Sequence, residues 1–454
     1  MQTKFSPEQL ETPSIAEANS ILRKCVHCGF CLSACPTYKL TGDENDSPRG
    51  RIYLLKDMFE SGSVPEPLSM HHIDRCLGCL GCMPACPSGV DYMRLADLGR
   101  QHIEARGRRR LADRIVRRAI AGIVSREALF RRLLTIGRSI ARFGPGLSGP
   151  GLSGPGLSGP GLLGPGPLGP FKAMIGVARR VSRIPPRSPL PARTGARGPL
   201  RKRILLMPGC AQQVLHPEVN AAAIRVLARH GAEVVVAPAS GCCGAISYHM
   251  GHSDAAQGHA RRNLAAWDKA AKDGAIDAIV NLASGCGLLL KDYGRFFSPD
   301  QPEARAAAAF AASVRDISEV LAELGIAPVA NGPHATIAYQ APCSLEHGQR
   351  IRNQPRDLLV KAGFALREIA EPHLCCGSAG AYSLLQPDMS TRLKARKVAA
   401  IRGAGADMVA TANIGCQIHL EDDAGMPVVH LVELLDWATG GPQPAGLERK
   451  PAAK

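Results

Sequence analysis

The chain has 454 residues, too many for one ordinary domain, and 45% of them are apolar, which is enough to fill the cores of two or three domains. Sixteen cysteines would indicate a disulfide framework in a small secreted protein, but this length, and a start that is polar and mixed in charge, favour a reducing cytoplasm. The net charge of +16 favours an anionic partner, whereas aromatic residues make up 4% and supply little surface for stacking bases, so nucleic acid is not an expected partner.

Two cysteine runs with the same spacing, CxxCxxCxxxCP, lie in the first 90 residues. Three thiolates on one tight loop reach three irons of a cubane, and the fourth, which leaves the loop, points to the neighbouring cluster. Zinc also binds paired CxxC motifs, but it needs only four ligands in a tetrahedron, so two such runs favour a pair of [4Fe-4S] clusters. The expected ligands are Cys25, Cys28, Cys31 and Cys86 for cluster one, and Cys76, Cys79, Cys82 and Cys35 for cluster two.

The join between the two runs is longer than that of a minimal ferredoxin. Residues 47–62 within it carry Ile52, Leu55 and Phe59 at helical spacing. We therefore predict that residues 1–105 form a mainly helical two-cluster domain, which resembles the ferredoxin domain of fumarate reductase and related dehydrogenases. His27 lies between two expected ligands, where it either tunes the potential by hydrogen bonding or is an exposed bystander.

Residues 106–142 form a basic segment with twelve arginines and two acidic residues. Leu111 and Ile115 recur at helical spacing, while arginines such as Arg114 and Arg117 occupy other positions, a pattern that predicts an amphipathic basic helix. Such a helix either packs on its own protein or docks on a lipid or acidic protein surface.

A Gly- and Pro-rich pentad repeat follows and, with the Pro- and Arg-rich stretch after it, forms a predicted linker over residues 143–200. Residues 144–170 carry no charge, but glycine and proline at this density cannot satisfy backbone polar groups inside lipid. Collagen is excluded as well, because its glycine recurs every third residue.

The C-terminal half contains an internal repeat, which predicts two domains at 201–330 and 331–440 and a tail at 441–454. In each copy a cysteine is followed 32 positions later by Cys-Cys-Gly and then by one more cysteine. These cysteines are Cys210, Cys242, Cys243 and Cys286 in the first copy, and Cys343, Cys375, Cys376 and Cys416 in the second.

Each of these cysteine positions follows an apolar, β-rich run. The runs cover 203–207, 233–237 and 278–283 in the first copy, and 336–340, 364–369 and 407–412 in the second. Parallel strands of βαβ units end at the same sheet edge, so each set of four cysteines is expected to converge there. The sets are candidate sites for further iron-sulfur clusters, or they are buried structural thiols. The predicted fold class is therefore α+β multidomain, a helical ferredoxin domain followed by two repeated α/β domains with parallel sheets.

The second copy also carries a family resemblance, in the segments APCSLEHGQ (341–349), LCCGSAGAYSLLQP (374–387) and NIGCQIHL (413–420). They resemble the Cys-Cys-Gly domains of heterodisulfide reductase, anaerobic glycerol-3-phosphate dehydrogenase, lactate-utilisation proteins and iron-sulfur subunits of glycolate oxidase. Joined to a two-cluster ferredoxin domain, the architecture most resembles the last of these.

The resemblance has one departure. The fullest family motif ends each domain in CxxC, whereas here Cys286 is followed by Leu289 and Cys416 by His419. Each half offers four thiolates rather than five, which leaves a four-ligand [4Fe-4S] site, or a site with His419 as substitute ligand in the second half. The nearby histidines are expected to be solvated or structural rather than ligands, and they are His249, His347 and His373.

The sequence has no GxGxxG opening a helix after a strand and no Walker loop, so hydride chemistry is expected on another subunit, and no catalytic residue is assigned here. The resemblance implies a complex in which flavin subunits oxidise glycolate to glyoxylate and this chain passes electrons to a membrane acceptor, with a peripheral position on the cytoplasmic face of the inner membrane. The alternatives are a glycerol 3-phosphate or lactate donor, and a thiol-disulfide enzyme of the heterodisulfide reductase type.

Overall fold

The computed structural model describes residues 1–143, 184–186, 188–237, 240–330 and 332–447, without the side chains of 140–143. The pentad repeat and most of the predicted linker lie outside the described residues, as does the end of the predicted tail. Among the helices that are described, none combines the length and the apolar character needed to cross a bilayer.

The N-terminal domain is mainly helical, as predicted. Its helices are α1 Pro7–Leu10, α2 Pro13–Arg23, α3 Pro36–Thr41, α4 Pro48–Ser61, α5 Pro67–Asp74 and α6 Tyr92–Arg106, with a short 3-10 turn at Glu44–Asp46. Helices α1 to α5 each have proline in the first turn, where its missing N–H would have no partner within the helix. Leu22, Leu55, Leu95 and Ile103 are fully buried together, so the domain has a core of its own.

The basic segment forms two helices rather than the single one predicted, α7 Leu111–Val124 and α8 Glu127–Phe143. The face of α7 that packs on the protein is not the one that Leu111 and Ile115 mark. Leu111 and Ile115 are 71% and 52% exposed, whereas Arg117 is buried. The physical reason is an ion pair, since Arg117 donates to Asp74 of α5 at 2.8 Å and to Asp113 at 3.1 Å, which turns this face of α7 inward.

The first Cys-Cys-Gly domain contains a sheet of strand order β1-β3-β2-β4-β5. The strands are β1 Arg193–Thr194, β2 Lys202–Met207, β3 Ala232–Val236, β4 Ala278–Asn281 and β5 Val314–Arg315. Strands β2 to β5 pair in parallel, and β1 pairs antiparallel with β3. Arg193–Thr194, which the sequence analysis placed in the linker, thus form an edge strand of this sheet. The helices are α9 Cys210–Leu215, α10 Pro217–Arg229, α11 Ala245–His249, α12 Ser253–Ala271, α13 Ser284–Lys291, α14 Ala304–Ser313 and α15 Ile317–Leu324.

The second domain repeats this topology, with an all-parallel sheet of order β7-β6-β8-β9. The strands are β6 Thr336–Gln340, β7 Ala365–Arg367, β8 Met408–Thr411 and β9 Val428–His430. The helices are α16 Gln354–Lys361, α17 Tyr382–Leu385, α18 Pro387–Gly403, α19 Ile414–Leu420 and α20 Leu431–Ala438, with a π-helical turn at Ser344–Gly348. Both copies end alike, in a short strand followed by a helix whose capping box is Asp316 with Glu319 in one and His430 with Glu433 in the other.

The two repeats share one hydrophobic core. Ile204 and Val280 of the first sheet and Ile337 and Ala410 of the second are fully buried in the same apolar cluster. A buried carboxylate adds a polar link, because Asp436 of α20, 1% exposed, accepts from Arg225 and Arg229 of α10 at 2.6 Å and 3.0 Å. The repeats therefore form a single packed body behind their cysteine-bearing edges.

Candidate metal centres

The thiols expected to hold cluster one surround a common cavity. Its lining includes Cys25, Cys28, Cys31 and Cys86, and also Cys82. The cavity opens toward the surface at Cys28, which is exposed. Burial, and then the neighbouring thiols, raise the pKa of Cys31 to about 11, so four thiolates here need a cationic group between them. The donor set fits an iron-sulfur cluster.

The thiols expected to hold cluster two line a second cavity, which adjoins the first at Cys82. These thiols are Cys35, Cys76, Cys79 and Cys82. Hydrogen-bond donors point at one of the sulfurs, since the Gly78 N–H and the Tyr92 hydroxyl lie 3.4 Å and 3.7 Å from Cys76 Sγ. Gly78 has φ +64°, the left-handed region in which glycine is unstrained, and this lets the loop close around the cavity.

A buried arginine, which the sequence analysis missed, lies beside the second cavity. Arg51 is 1% exposed, donates to the His72 carbonyl at 2.7 Å and to Thr37 Oγ1 at 3.1 Å, and pairs with Asp46 at 3.4 Å. It lies within the predicted helix of residues 47–62, and the sequence does not distinguish it there, because its burial depends on how the domain packs.

Arg51 and a second buried cation, Arg100, act on the thiols of this cavity. Burial alone would raise the pKa of Cys76, but Arg51 and Arg100 bring it below its usual value. Arg100 also donates to the Cys76 carbonyl at 2.7 Å. The two arginines therefore favour the thiolate form of Cys76, whereas burial raises the pKa of Cys79 and of Cys82 well above its usual value.

In the first repeat the structure brings the four predicted cysteines together at one sheet edge. Cys210 begins α9 after β2, Cys242 and Cys243 follow β3, and Cys286 lies in α13 after β4. Hydrogen bonding to Cys242, together with burial, raises the pKa of Cys210 well above its usual value. Gly244 is required at this turn, since its φ is +88° and a Cβ would approach His259 Cβ to 3.3 Å.

The second repeat has the same arrangement with two close sulfur pairs. Cys343 Sγ lies 3.8 Å from Cys375 Sγ, and Cys376 Sγ lies 3.4 Å from Cys416 Sγ. Gly377 has φ +93°, and a Cβ there would come within 2.7 Å of the Ser390 carbonyl oxygen. Thiols packed in this way are poorly solvated as thiolates unless positive charge lies near them, and their arrangement suits a metal group or thiol redox chemistry.

His419 lies at the second set. It is buried, and its Nε2 lies 3.4 Å from Ser390 Oγ and 3.4 Å from the position of a Cβ at Gly377. The other histidines have structural positions. His347 Nδ1 lies 3.1 Å from the Cys79 carbonyl oxygen, and His249 Nδ1 lies 3.0 Å from Asp97. Burial lowers the pKa of His373, which favours its neutral form.

The second repeat contacts the second N-terminal cavity directly. Cys79 and Leu77 pack in one apolar cluster with Cys343 and Cys375. The Tyr382 hydroxyl reinforces this contact by donating to the Arg75 carbonyl at 3.1 Å. Thiols of the two candidate sites therefore meet across an apolar interface.

The first repeat meets the N-terminal domain through polar groups instead. Arg94 donates to the Tyr248 hydroxyl at 2.6 Å, and Asp97 contacts His249. Cys242 and Cys243 pack in an apolar cluster made of residues of their own repeat, in the part of the chain that the structure describes. The second Cys-Cys-Gly site thus packs against a cysteine of the second N-terminal cavity, whereas the first repeat contacts the N-terminal domain through the polar groups of Tyr248 and His249.

Comparison with known proteins agrees with this architecture. A family model described as a 4Fe-4S dicluster domain matches residues 21–90, and one described as a cysteine-rich domain matches residues 204–291 and 337–421.

Two relatives align along nearly the whole chain. The glycolate oxidase iron-sulfur subunit of Escherichia coli is 38% identical over 443 residues, which cover 96% of this chain and 99% of that protein. The probable glycolate oxidase iron-sulfur subunit of Bacillus subtilis is 30% identical over 431 residues, 92% of this chain and 94% of that protein. Lactate utilization protein A of an Exiguobacterium species is 26% identical over 241 residues, 51% of this chain and 96% of that protein. Because of its identity to the first two of these proteins over nearly their whole length, the chain belongs to the family of glycolate oxidase iron-sulfur subunits.

Proposed function

We propose that this chain is the electron-transfer subunit of a glycolate-oxidising complex, with the flavin that removes hydride held by partner subunits. The supporting observation is the pair of adjoining N-terminal cavities, which are lined by five and by four cysteines and share Cys82. The family of iron-sulfur subunits to which the chain belongs supplies the donor substrate, glycolate. Electrons leave toward a membrane acceptor such as quinone.

Cluster one is proposed to be held by three thiols of its own loop and one from the other loop. The lining of the first cavity supports this, because it contains Cys86 and not Cys35, while the second cavity contains Cys35 and not Cys86. The full ligand sets are Cys25, Cys28, Cys31 and Cys86 for cluster one, and Cys76, Cys79, Cys82 and Cys35 for cluster two. A [4Fe-4S] cluster in each cavity supplies one-electron redox chemistry.

The residues around the second cavity are proposed to stabilise the negative charge of its thiolates and of a reduced cluster. Arg51 and Arg100 offset the negative charge of four thiolates and of the added electron. Tyr92 and the Gly78 N–H donate to sulfur, which stabilises the more negative state. The described lining of the first cavity contains no buried arginine, so the buried cations are expected to give the second cavity the higher potential.

Membrane attachment is proposed to use one exposed stripe of α7. The stripe combines apolar and cationic side chains at helical spacing, and its residues are Arg110, Leu111, Arg114, Ile115 and Arg118. Apolar side chains inserted between headgroups and arginines on phosphates are typical of a peripheral helix on an anionic surface.

A thiol-disulfide enzyme is the second candidate. The observation that favours it is the 3.4 Å separation of Cys376 Sγ and Cys416 Sγ, which is short enough for oxidation to a disulfide after small movements. This function would keep the N-terminal clusters as electron donors and would make the second repeat the site of reduction.

Identification of the co-purifying subunits tests the proposal. The chain, tagged and purified anaerobically under mild conditions, is expected to retain a flavoprotein and glycolate-dependent reduction of an artificial acceptor. A complex that oxidises lactate or glycerol 3-phosphate but not glycolate would contradict the donor assignment. Disulfide reduction by the isolated chain, without a flavoprotein partner, would favour the second candidate.

A further inference from the structure

The two Cys-Cys-Gly sites are related by sequence repetition, but one buried position distinguishes them. The glycine of each triplet identifies equivalent residues on the following long helix. A Cβ on Gly244 would meet Ala256 and His259, and a Cβ on Gly377 would meet Ser390 and Leu393. Both pairs are three residues apart, so Ala256 corresponds to Ser390.

Seven residues further along the same helices, the first repeat has Asn263 and the second has Lys397. Asn263 is 1% exposed and Lys397 is 3% exposed, so both side chains face the interior. Both also hold the loop that carries the cysteine pair. Asn263 Nδ2 donates to the Cys242 carbonyl at 3.1 Å, and Lys397 Nζ donates to the Glu371 and Pro372 carbonyls at 3.0 Å and 3.3 Å.

The difference between them is charge. A buried ammonium is costly unless negative charge lies nearby, and burial lowers the pKa of Lys397. Lys397 and Cys375 line the same small cavity, so the ammonium lies beside the second cysteine set. The thiols of that set, Cys376, Cys375, Cys416 and Cys343, act on the pKa of Lys397 in the opposite direction to burial. No carboxylate is among the recorded hydrogen-bond partners of Lys397 Nζ in the described chain, since Glu371 offers its carbonyl there and gives its carboxylate to Arg396.

Among the described residues, the first set has no buried lysine or arginine beside it, and the base that acts on Cys242 is His259, whose own pKa is lowered by burial. The buried lysines and arginines of the described residues are Arg51, Arg100, Arg117, Arg203 and Lys397. Arg203 lies on β2, where it donates to the Gly274 carbonyl oxygen, and the other three arginines belong to the N-terminal part. At the position of Lys397 the first repeat instead has a neutral amide, which also donates to the Tyr293 hydroxyl at 2.9 Å.

We infer that Lys397 is the internal counter-charge of an anionic iron-sulfur cluster held by Cys343, Cys375, Cys376 and Cys416, whereas Cys210, Cys242, Cys243 and Cys286 remain structural thiols. This inference rests on the proposed function, because it adds a third cluster to the same electron carrier. The position supports it further, since the second set packs against Cys79 of the second cavity through apolar contacts. A cluster there is next to cluster two.

Iron content of the anaerobically reconstituted full chain separates the two sites. Each [4Fe-4S] cluster adds about four irons, so the wild type is expected to hold about twelve. Cys375→Ser/Cys376→Ser is expected to hold about eight, and Cys242→Ser/Cys243→Ser is expected to keep about twelve. Equal iron in the two double variants overturns the inference. The electron paramagnetic resonance signals of the N-terminal clusters report that each variant is folded.

Lys397→Gln tests the counter-charge, because the amide retains a donor for the loop but removes the charge. We expect the potential of the third cluster to fall by at least the equivalent of a tenfold change in its reduction equilibrium, 59 mV for one electron, or its four irons to be lost. Lys397→Arg is expected to restore the signal. Arg396→Gln is the matched control, since it removes the neighbouring cation that pairs with the Glu371 carboxylate at the surface.

An unchanged potential in Lys397→Gln overturns the counter-charge role, because this substitution keeps a hydrogen-bond donor for the loop and removes the charge. The outcome for the proposed function is read separately. A wild type with both N-terminal signals and about eight irons contradicts the inference alone, whereas a wild type without the N-terminal signals contradicts the proposed function.

Discussion

The Arg51 guanidinium lies 4.0 Å from Cys35 Sγ, in a position where Arg51 is 1% exposed to solvent. A cation so placed acts on a thiolate through a medium of low dielectric, where charge interactions are several times stronger than in water. Cys35 comes from the first cysteine run, yet it lines the cavity of the second. The arginine therefore lies where a cysteine of the first run lines the cavity of the second.

Arg51→Gln is predicted to lower the reduction potential of cluster two, because the reduced state loses the nearest buried positive charge. The expected shift is roughly 60 mV or more, a tenfold change for one electron. A redox titration followed by electron paramagnetic resonance measures it. Arg49→Gln serves as control, since Arg49 lies on the same helix and pairs with Glu44 at the surface. The potential of cluster two in this variant is expected to equal that of the wild type.

Cys35→Ser is predicted to damage cluster two and to spare cluster one, although Cys35 belongs to the run that supplies three ligands of cluster one. The measurement is the loss of one of two N-terminal resonance signals together with a fall of up to about four irons per chain. Cys86→Ser should have the reciprocal effect. Loss of the cluster-one signal in Cys35→Ser would refute the crossed assignment.

Replacing Arg110, Arg114 and Arg118 of α7 by glutamate is predicted to abolish binding to anionic vesicles, because the stripe then repels the phosphates. Wild-type binding should weaken with salt, since exposed charges farther apart than about 8 Å are screened at physiological ionic strength. Cosedimentation with phosphatidylserine vesicles measures both. Arg305→Glu, on an exposed position of α14, is the control for net charge. Binding that the triple variant retains in full would exclude the stripe.

Stability is predicted to fall as pH rises from about 6.5 to 9, because of His216. Burial alone would lower the pKa of His216, but hydrogen bonds with Glu218 and Glu421 raise it to about 9. A pKa raised in the folded state gives stability that is complete below the unfolded value and is lost as pH rises through the folded value. The loss is roughly 3 kcal/mol, because the folded pKa of about 9 lies above the unfolded value of about 6.5.

Thermal unfolding of the iron-free chain across this pH range measures the effect. His216→Gln should be less stable at pH 6.5 and should lose the step between pH 7 and 9. Glu433→Gln is the control, because burial raises the pKa of Glu433 to about 7 and its own loss occurs at lower pH. An unchanged alkaline step in His216→Gln would show that another group titrates.

The sequence was sufficient to predict the architecture, because the architecture is indicated by the spacing of the cysteines along the chain. The cysteine runs predicted the helical two-cluster domain, and the 32-residue offset from Cys210 to Cys242 and from Cys343 to Cys375 predicted the repeat that the two parallel sheets confirm. The convergence of each cysteine set followed from the direction of parallel strands alone.

What the sequence could not show depended on long-range partners. The packed face of α7 was left open, because hydrophobic spacing gave no hint that Asp74, 43 positions before Arg117, turns that arginine inward. Arg51 and Lys397 look like ordinary helix residues in the sequence, and their burial beside thiols appears only after the domains pack. The edge strand at Arg193–Thr194 was missed because its partner, β3, comes 40 residues later.

Reduction of the clusters by glycolate is the direct test that this chain accepts electrons from a glycolate-oxidising flavoprotein. The chain is purified anaerobically with its flavoprotein partner, mixed with glycolate, frozen within seconds and examined by electron paramagnetic resonance. We predict signals of reduced [4Fe-4S] clusters that appear only when the flavoprotein is present. In Cys35→Ser these signals should lack the component of cluster two. Full reduction of the flavin by glycolate, with the iron-sulfur clusters remaining oxidised and a membrane acceptor still being reduced, would contradict this prediction.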